Sequence, residues 1–267
     1  MSALVRVDGR AVDPDAAAIP VLDRGFLYGD SAFEVLRTYG GRPFELDAHL
    51  ARLRASCEKL AIPFPSEDLR AEILEALAEV DHAESYVRVI VTRGVTAIGL
   101  DPGQVVQPRR VLLVLPLSPQ PPSLYAQGVA VVTVSLARAL DSTAAAGAKA
   151  SNYLANILSV AKAREAGAYE AISTGPNGEL IEGTTSNLFV VRGGELLTPP
   201  AQLGLLSGIT RRVVLEVASA LGVPARSQLL FPNDLYHADE AFITSTLREL
   251  VPVVRADGVA VGSGEPG

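Results

Sequence analysis

The spacing of apolar and polar residues divides the chain into short strands and amphipathic helices. Leu4 to Val7 and Arg10 to Val12 flank Asp8-Gly9, the dipeptide that suits a tight hairpin turn with positive φ at both central positions. In the stretch that follows, Gly25 and Gly29 bracket a tight loop. Phe33 to Tyr39 then reads as a strand closed by Gly40-Gly41, with Phe33, Val35, Arg37 and Tyr39 on one face. Asp47 suits a helix N-cap ahead of AHLARLRASCEKL, whose Leu50, Leu53, Cys57 and Leu60 form one stripe. A second helix, over 67–80 after Ser66, repeats the pattern with Leu69, Ile73, Leu74 and Leu77. SYVRVIVT is a strand with Val87, Val89 and Val91 toward the core and Tyr86, Arg88 and Ile90 on the other face. RRVLLVLPL makes another strand, and SPQPPSLYAQG concentrates the proline and polar residues of a linker.

The second half opens with the strand GVAVVTVSL and passes through small residues to Lys149 and a helix over 156–166. Then come YEAIST, the Gly175-Pro176-Asn177-Gly178 turn, ELIEG, TTSN, LFVV, the Arg192-Gly193-Gly194 turn and ELLT, which read as a meander of short antiparallel strands. LLSGITRRVVLEVASALG reads as a helix with Ser207 as N-cap and Gly208 in the first turn. Its buried side is expected to hold Val213, Val214, Val217 and Leu221, and Gly222 and Pro224 stop it. The strand EAFITST ends in the hydroxyl cluster Thr244, Ser245 and Thr246, and LRELVPVVRADG follows. The pattern predicts an α/β protein of the α+β type with two domains. An N-terminal α/β domain over 1–117 and a linker over 118–125 precede a C-terminal domain over 126–267.

Composition narrows the function. The chain has 267 residues, 48% of them hydrophobic, enough for two cores, and its net charge of −7 leaves no basic surface for phosphate backbones or anionic lipids. Nucleic acid and membranes are therefore poor partners, and a small soluble substrate fits better. The single Cys57 cannot form an internal disulfide, MSALVRVDGRAV lacks the features of a leader, and no apolar run reaches the roughly 18 residues of a spanning helix. A cytoplasmic location is expected, and no metal site.

Candidate chemistry centres on Lys149, one of only three lysines among 23 basic side chains. Lys59 and Lys162 sit beside Glu58, and beside Arg164 and Glu165, as solvated helix positions; Lys149 lies among Gly147, Ala148, Ala150 and Ser151, where a long side chain would point into open space. Glu182 falls between Leu180-Ile181 and Gly183 with no obvious partner, and at least one of Arg52 and Arg54 could reach a site from its helix. Tyr86 and Arg88 on one strand face suggest carboxylate recognition, since a guanidinium binds a carboxylate through two parallel hydrogen bonds. The amides of Ile209 and Thr210 at a helix start offer an anion site. An amine for an aldehyde, a carboxylate for a pyridine nitrogen, and arginine with helix amides for a phosphate are together what pyridoxal 5′-phosphate requires.

The motifs DRGFLYGDSAFEVLRTY, HLARLRAS, AKASNYL, ELIEGTTSNLFVV, LSGITRRVV and FITSTLREL resemble, in order, those of the class IV aminotransferases, the fold-type IV pyridoxal phosphate enzymes. The resemblance implies that Lys149 is the catalytic lysine that holds the cofactor aldehyde and transfers the proton. It implies Glu182 as partner of the ring nitrogen and Arg52, Ile209, Thr210, Ser245 and Thr246 as phosphate ligands, with Tyr153 also at the cofactor. Tyr28, Phe33, Arg37, Tyr86, Arg88 and Leu247 would line the substrate, and the protein would be a homodimer acting on an amino acid and a 2-oxo acid. The match at Tyr28, Phe33, Arg37, Tyr86 and Arg88 favours a branched-chain-like substrate. D-amino-acid aminotransferases carry a tyrosine where this chain has Phe33 and an Arg-x-His pair where it has Ile98 and Leu100. The spacing from Lys149 to Tyr153 is one residue shorter than in branched-chain enzymes. That keeps open 4-amino-4-deoxychorismate lyase, which yields 4-aminobenzoate and pyruvate, beside the D-amino-acid alternative.

Overall fold

The computed structural model describes residues 3–65, 68–101, 107–135 and 146–267. The chain forms two compact units: Met1–Pro119 with Ala148–Asn152, and Gln120–Gly147 with Tyr153–Gly267. The chain thus leaves the first unit, returns to it for five residues that include Lys149, and leaves again.

In the first unit, β1 (Leu4–Val7) and β2 (Arg10–Val12) form the hairpin, with Asp8 at φ 51° and Gly9 at φ 80°. Where a tight loop was expected there is a short helix, α1 (Arg24–Tyr28). Asp23 caps it by accepting a hydrogen bond from the Gly25 amide at 2.8 Å, and Gly29 ends it in the left-handed region. Then follow β3 (Ser31–Tyr39), β4 (Arg42–Pro43), α2 (Leu46–Lys59), α3 (Leu69–Ala78), β5 (Ser85–Thr92) and β6 (Arg109–Pro116). Among the described residues these strands form an antiparallel sheet in the order β2-β1-β6-β5-β3-β4, with α2 packed on β3 and α3 on β6. Val87, Val89 and Val91 from β5, Leu36 from β3, Leu53 and Cys57 from α2, and Ile73 from α3 make its core.

Two expectations about these helices are corrected. Asp47 is not the N-cap of α2: Glu45 holds that position at φ 53°, while Asp47 sits in the first turn and accepts from Arg70 at 2.9 Å. The fully buried positions of α2 are Leu46, His49, Leu53, Ser56 and Cys57, and Leu50 and Leu60 pack only at the core's margin. The two polar members of that stripe each have a partner inside, described below, which offsets part of their desolvation cost, although among the described residues His49 Nε2 has none. α3 starts at Leu69 with Asp68 as N-cap, accepting from the Ala71 amide at 3.0 Å; Ser66 and Glu67 lie outside the described residues.

In the second unit, α4 (Pro122–Gln127) occupies part of the expected linker and precedes β7 (Val129–Ser135). The residues 136–145, read as the loop before Lys149, are outside the described residues. Then come α5 (Leu154–Glu165), β8 (Glu170–Thr174), β9 (Leu180–Gly183), β10 (Asn187–Arg192), β11 (Glu195–Thr198), α6 (Ile209–Ala220), β12 (Ala225–Ser227), α7 (Pro232–Tyr236), β13 (Glu240–Ser245), β14 (Glu249–Ala256) and β15 (Val259–Ala260). Among the described residues the strands run β12-β11-β10-β13-β14-β7-β8-β9, with β15 on β14.

The meander is therefore corrected to a mixed sheet. The β8–β9 and β10–β11 pairs are antiparallel, but β13, β14 and β7 separate them, and β7 pairs in parallel with both β14 and β8. Strands buried on both faces carry no local signal of which neighbour they take. The three-residue segment 184–186 joins β9 directly to β10, closed by the Gly183 amide donating to the Ser186 carbonyl at 2.8 Å.

Helix α6 also departs from expectation. Its N-cap is Gly208, not Ser207, and its buried residues are Ile209 and Ala218, with Val214 and Leu215 packed against Phe189 and Leu196. Val217 and Leu221 are 50% and 74% exposed. The run VVLEV offers two overlapping apolar stripes, and packing against the stacked Phe189–Phe242 rings, 5.0 Å apart, selects one of them. Among the described residues no helix is long and apolar enough to cross a membrane, and no cluster of His, Cys, Asp and Glu could hold a metal ion.

Candidate active site

Lys149 is fixed by its own backbone. Its carbonyl accepts from the Phe33 amide at 3.0 Å, its amide donates to Ser56 Oγ at 3.1 Å, and the Ser151 amide donates to the Ser31 carbonyl at 3.0 Å. Ala150 forms a bridge with Ala32, so the segment adds a short antiparallel rung to the start of β3. The side chain does not point into open space as the small neighbours suggested: Nζ lies over the Phe33 ring, 4.6 Å from its centroid. Arg88 Cζ also lies 4.2 Å from that centroid, so one buried ring carries two cations. The ring attracts each of them through its quadrupole.

The pairing of β3 with β5 explains the arrangement. Val35 lies opposite Arg88 and Arg37 opposite Tyr86, so Phe33, Arg37, Tyr86 and Arg88 share one sheet face. Arg37 stacks on Tyr39 with Cζ 4.1 Å from the ring centroid. Tyr28 ends α1, where Arg24 lies 5.1 Å over its ring and its hydroxyl accepts from the Gly99 amide at 3.4 Å. Ile98 and Leu100, in the same loop, are each 78% exposed.

Arg52 reaches inward from α2 and donates to Glu34 through Nε at 2.6 Å and Nη2 at 2.8 Å. His49 Nδ1 lies 2.7 Å from the same carboxylate. Burial opposes the Glu34 charge most strongly, yet the Arg52 guanidinium and then His49 outweigh it and lower its pKa to about 2. Arg54, the other arginine of this helix, instead stacks over Phe64 with Cζ 4.1 Å from the ring centroid. Cys57, on the same helix, is buried and its thiol is pushed up to about 11, which makes it inert.

The second unit carries the remaining candidates. Glu182 on β9 has partners that the sequence did not reveal: the Leu206 amide donates to Oε2 at 3.0 Å, and Asn187 Nδ2 lies 3.5 Å from the same oxygen. Asn187 also donates to the Leu206 carbonyl at 2.9 Å, tying β10 to the segment ahead of α6. A Cβ at Gly208 would collide with Asn187 Oδ1, so a side chain there would have to displace the Asn187 amide. Ile209 and Thr210 are the first two residues of α6, whose N-cap supplies no side-chain bond and whose first turn holds no acid. Amides in such a first turn have no acceptor within the helix. Tyr153 is the N-cap residue of α5. Ser245 ends β13, and Thr246 and Leu247 form the turn into β14.

Glu34, His49, Ser56 and Asn187 did not stand out in the sequence. Glu34 left a signal: it falls in the series Ala32, Glu34, Leu36 and Thr38 on the core face of β3, where a carboxylate demands a partner. Asn187 and Ser56 left none, because the Leu206 carbonyl and the Lys149 amide they bond are backbone groups distant in sequence.

The family model described as Amino-transferase class IV matches residues 31–256. A protein of Methanocaldococcus jannaschii, provisionally named a branched-chain-amino-acid aminotransferase, is 37% identical over 265 residues, covering 98% of this chain and 91% of the relative. D-alanine aminotransferase of Bacillus licheniformis is 33% identical over 265 residues, covering 98% and 92%. The solved branched-chain amino acid aminotransferase of T.th., with pyridoxamine 5′-phosphate, superposes with a TM-score of 0.92 at 30% identity, covering 99% of this chain and 89% of that one.

Proposed function

The chain belongs to the class IV aminotransferase family, whose members use pyridoxal 5′-phosphate, and from that membership we propose that it exchanges an amino group between a branched-chain-like amino acid and a 2-oxo acid. The residues fit the cofactor. A glycine-capped helix of 12 residues with no acid in its first turn suits a phosphate, and a carboxylate held by Leu206 and Asn187 suits a pyridine nitrogen. When bound, pyridoxal 5′-phosphate supplies an aldehyde for the substrate amine and a ring that accepts the electron pair left as the Cα proton departs.

Lys149 would supply the amine that holds the cofactor and the base that moves the proton at the substrate Cα. Glu182 keeps the proton on the ring nitrogen. Arg52, with its orientation fixed by Glu34, and Ile209, Thr210, Ser245 and Thr246 hold the phosphate; Tyr153 supports the cofactor. Tyr28, Phe33, Arg37, Tyr86, Arg88 and Leu247 contact the substrate, the arginines through its carboxylates. The protein works in the cytoplasm as a homodimer, a state supported by the exposed apolar stripe Leu154, Ile157 and Leu158 on α5.

The observation that carries the reading is the backbone fixing of Lys149 to β3 and α2, which holds one amine in a set place over the Phe33 ring. Purified protein, loaded with the cofactor and given L-leucine, L-glutamate, D-alanine or aminodeoxychorismate, tests it. The expected result is conversion of the cofactor to its amine form by L-leucine and L-glutamate. Conversion by D-alanine alone would assign the D-amino-acid activity, and pyruvate release from aminodeoxychorismate without amine transfer would assign the lyase.

A further inference from the structure

Glu170, the first residue of β8, is 1% exposed, and two segments donate to it. Its Oε1 accepts from Thr184 Oγ1 at 2.9 Å, the Thr185 amide at 2.8 Å and Ser186 Oγ at 3.0 Å, three consecutive residues of the connection between β9 and β10. Its Oε2 accepts from Arg248 Nη1 at 2.6 Å. A Cβ at Gly183 would lie 2.7 Å from Glu170 Oε1, so the connection is moulded around the carboxylate. Arg248 follows the Ser245-Thr246-Leu247 turn and reaches back. Nη2 donates to Thr185 Oγ1 at 2.7 Å and to the Thr185 carbonyl at 3.2 Å, and Nε donates to Ser245 Oγ at 3.0 Å. Burial opposes the guanidinium charge, but Glu170 more than restores it.

A buried ion pair is weak ground for stability, because an apolar pair of the same volume often serves as well. What this pair does that an apolar one could not is set the direction of a hydroxyl. A guanidinium can only donate, and a serine hydroxyl has one hydrogen and two lone pairs. Ser245 Oγ is therefore the acceptor toward Arg248, and its hydrogen must turn to some other acceptor. We infer that Glu170 and Arg248 are a positioning pair that holds Ser245 as a hydrogen-bond donor toward the cofactor phosphate while fixing the connection after Glu182. This inference rests on the proposed assignment of Ser245 to the phosphate.

The test compares affinities of the full-length apoprotein for pyridoxal 5′-phosphate and for pyridoxal, which lacks the phosphate, by absorbance titration, with thermal unfolding as a check of the fold. The variants are Arg248→Lys, Ser245→Ala and the pair Glu170→Gln with Arg248→Gln, which leaves no unmatched buried charge. Arg248→Lys is expected to weaken pyridoxal 5′-phosphate about tenfold, the scale of a hydrogen bond to a charged group, and pyridoxal by less than about twofold. The double variant should give the same selective loss and carries the test if the lysine variant does not fold. A merely structural pair would weaken both ligands together or neither, and that result, or failure of both variants to fold, would overturn the inference. If Ser245→Ala leaves the ratio of the two affinities unchanged, the phosphate assignment of Ser245 fails first and the inference falls with it. A selective loss in Ser245→Ala without one in the Arg248 variants would overturn the inference alone.

Discussion

Lys149 and Glu34 show how differently two buried-side residues announce themselves. Lys149 stands out as a candidate because lysine is rare in this chain and the neighbours are small; its contact with the Phe33 ring does not, because Phe33 is 116 positions away by the difference of their numbers. Replacing Lys149 by Ala should remove the visible absorbance of the cofactor-loaded protein and lower transamination by about 10⁴-fold, with far-ultraviolet circular dichroism unchanged. The Glu34 carboxylate titrates at about 2 in the folded protein, below its ordinary value of 4.5. A depressed carboxylate stabilises the fold above its ordinary value and loses that contribution as pH falls toward the folded one, so the effect should fade between about pH 5 and pH 2. Thermal midpoints of the wild type and Glu34→Gln, measured across that range, should be far apart at neutral pH and converge in acid. A gap that stays constant would show that the Arg52–His49 cluster does not hold the charge.

At the scale of elements, packing sets what periodicity leaves ambiguous. Helix α2 buries His49 and Ser56 instead of Leu50 and Leu60 because each polar side chain has a specific interior partner, Glu34 for one and the Lys149 amide for the other. The register of that helix is thus set by these two contacts together with the burial of Leu46, Leu53 and Cys57. At the Gly208 N-cap of α6, Asn187 Oδ1 occupies the space where a side chain would stand. Gly208→Ala is expected to displace Asn187 and, through it, the Leu206 amide that holds Glu182. The cost should appear as at least about a tenfold loss in cofactor affinity and about 1–3 kcal/mol of stability, read by titration and urea unfolding. An alanine variant with wild-type affinity would show that the Asn187 contact does not govern Glu182.

For the whole molecule, two sheets divide the candidate residues. Phe33, Arg37, Arg52, Tyr86, Arg88 and Lys149 belong to the first unit and Tyr153, Glu182, Ile209, Thr210, Ser245 and Thr246 to the second. The apolar stripe of α5 bears on assembly. Light scattering of the purified protein should give twice the 28.0 kDa chain mass, and Ile157→Asp, placing a charge among 62% exposed Ile157 and its neighbours, should shift it to the monomer. An unchanged mass would move the dimer contact away from α5.

The sequence by itself determined the strands and helices with clear periods, the nomination of Lys149 as the candidate amine, and the order of motifs that marks the family, because each depends on residues close together in the chain. Tertiary structure alone decided the mixed order of the second sheet, the face that α6 buries, the partners of Glu182, and the Glu170–Arg248 link. Those depend on hydrogen bonds and packing between segments tens of residues apart, and a local period carries no record of the partner on the other side.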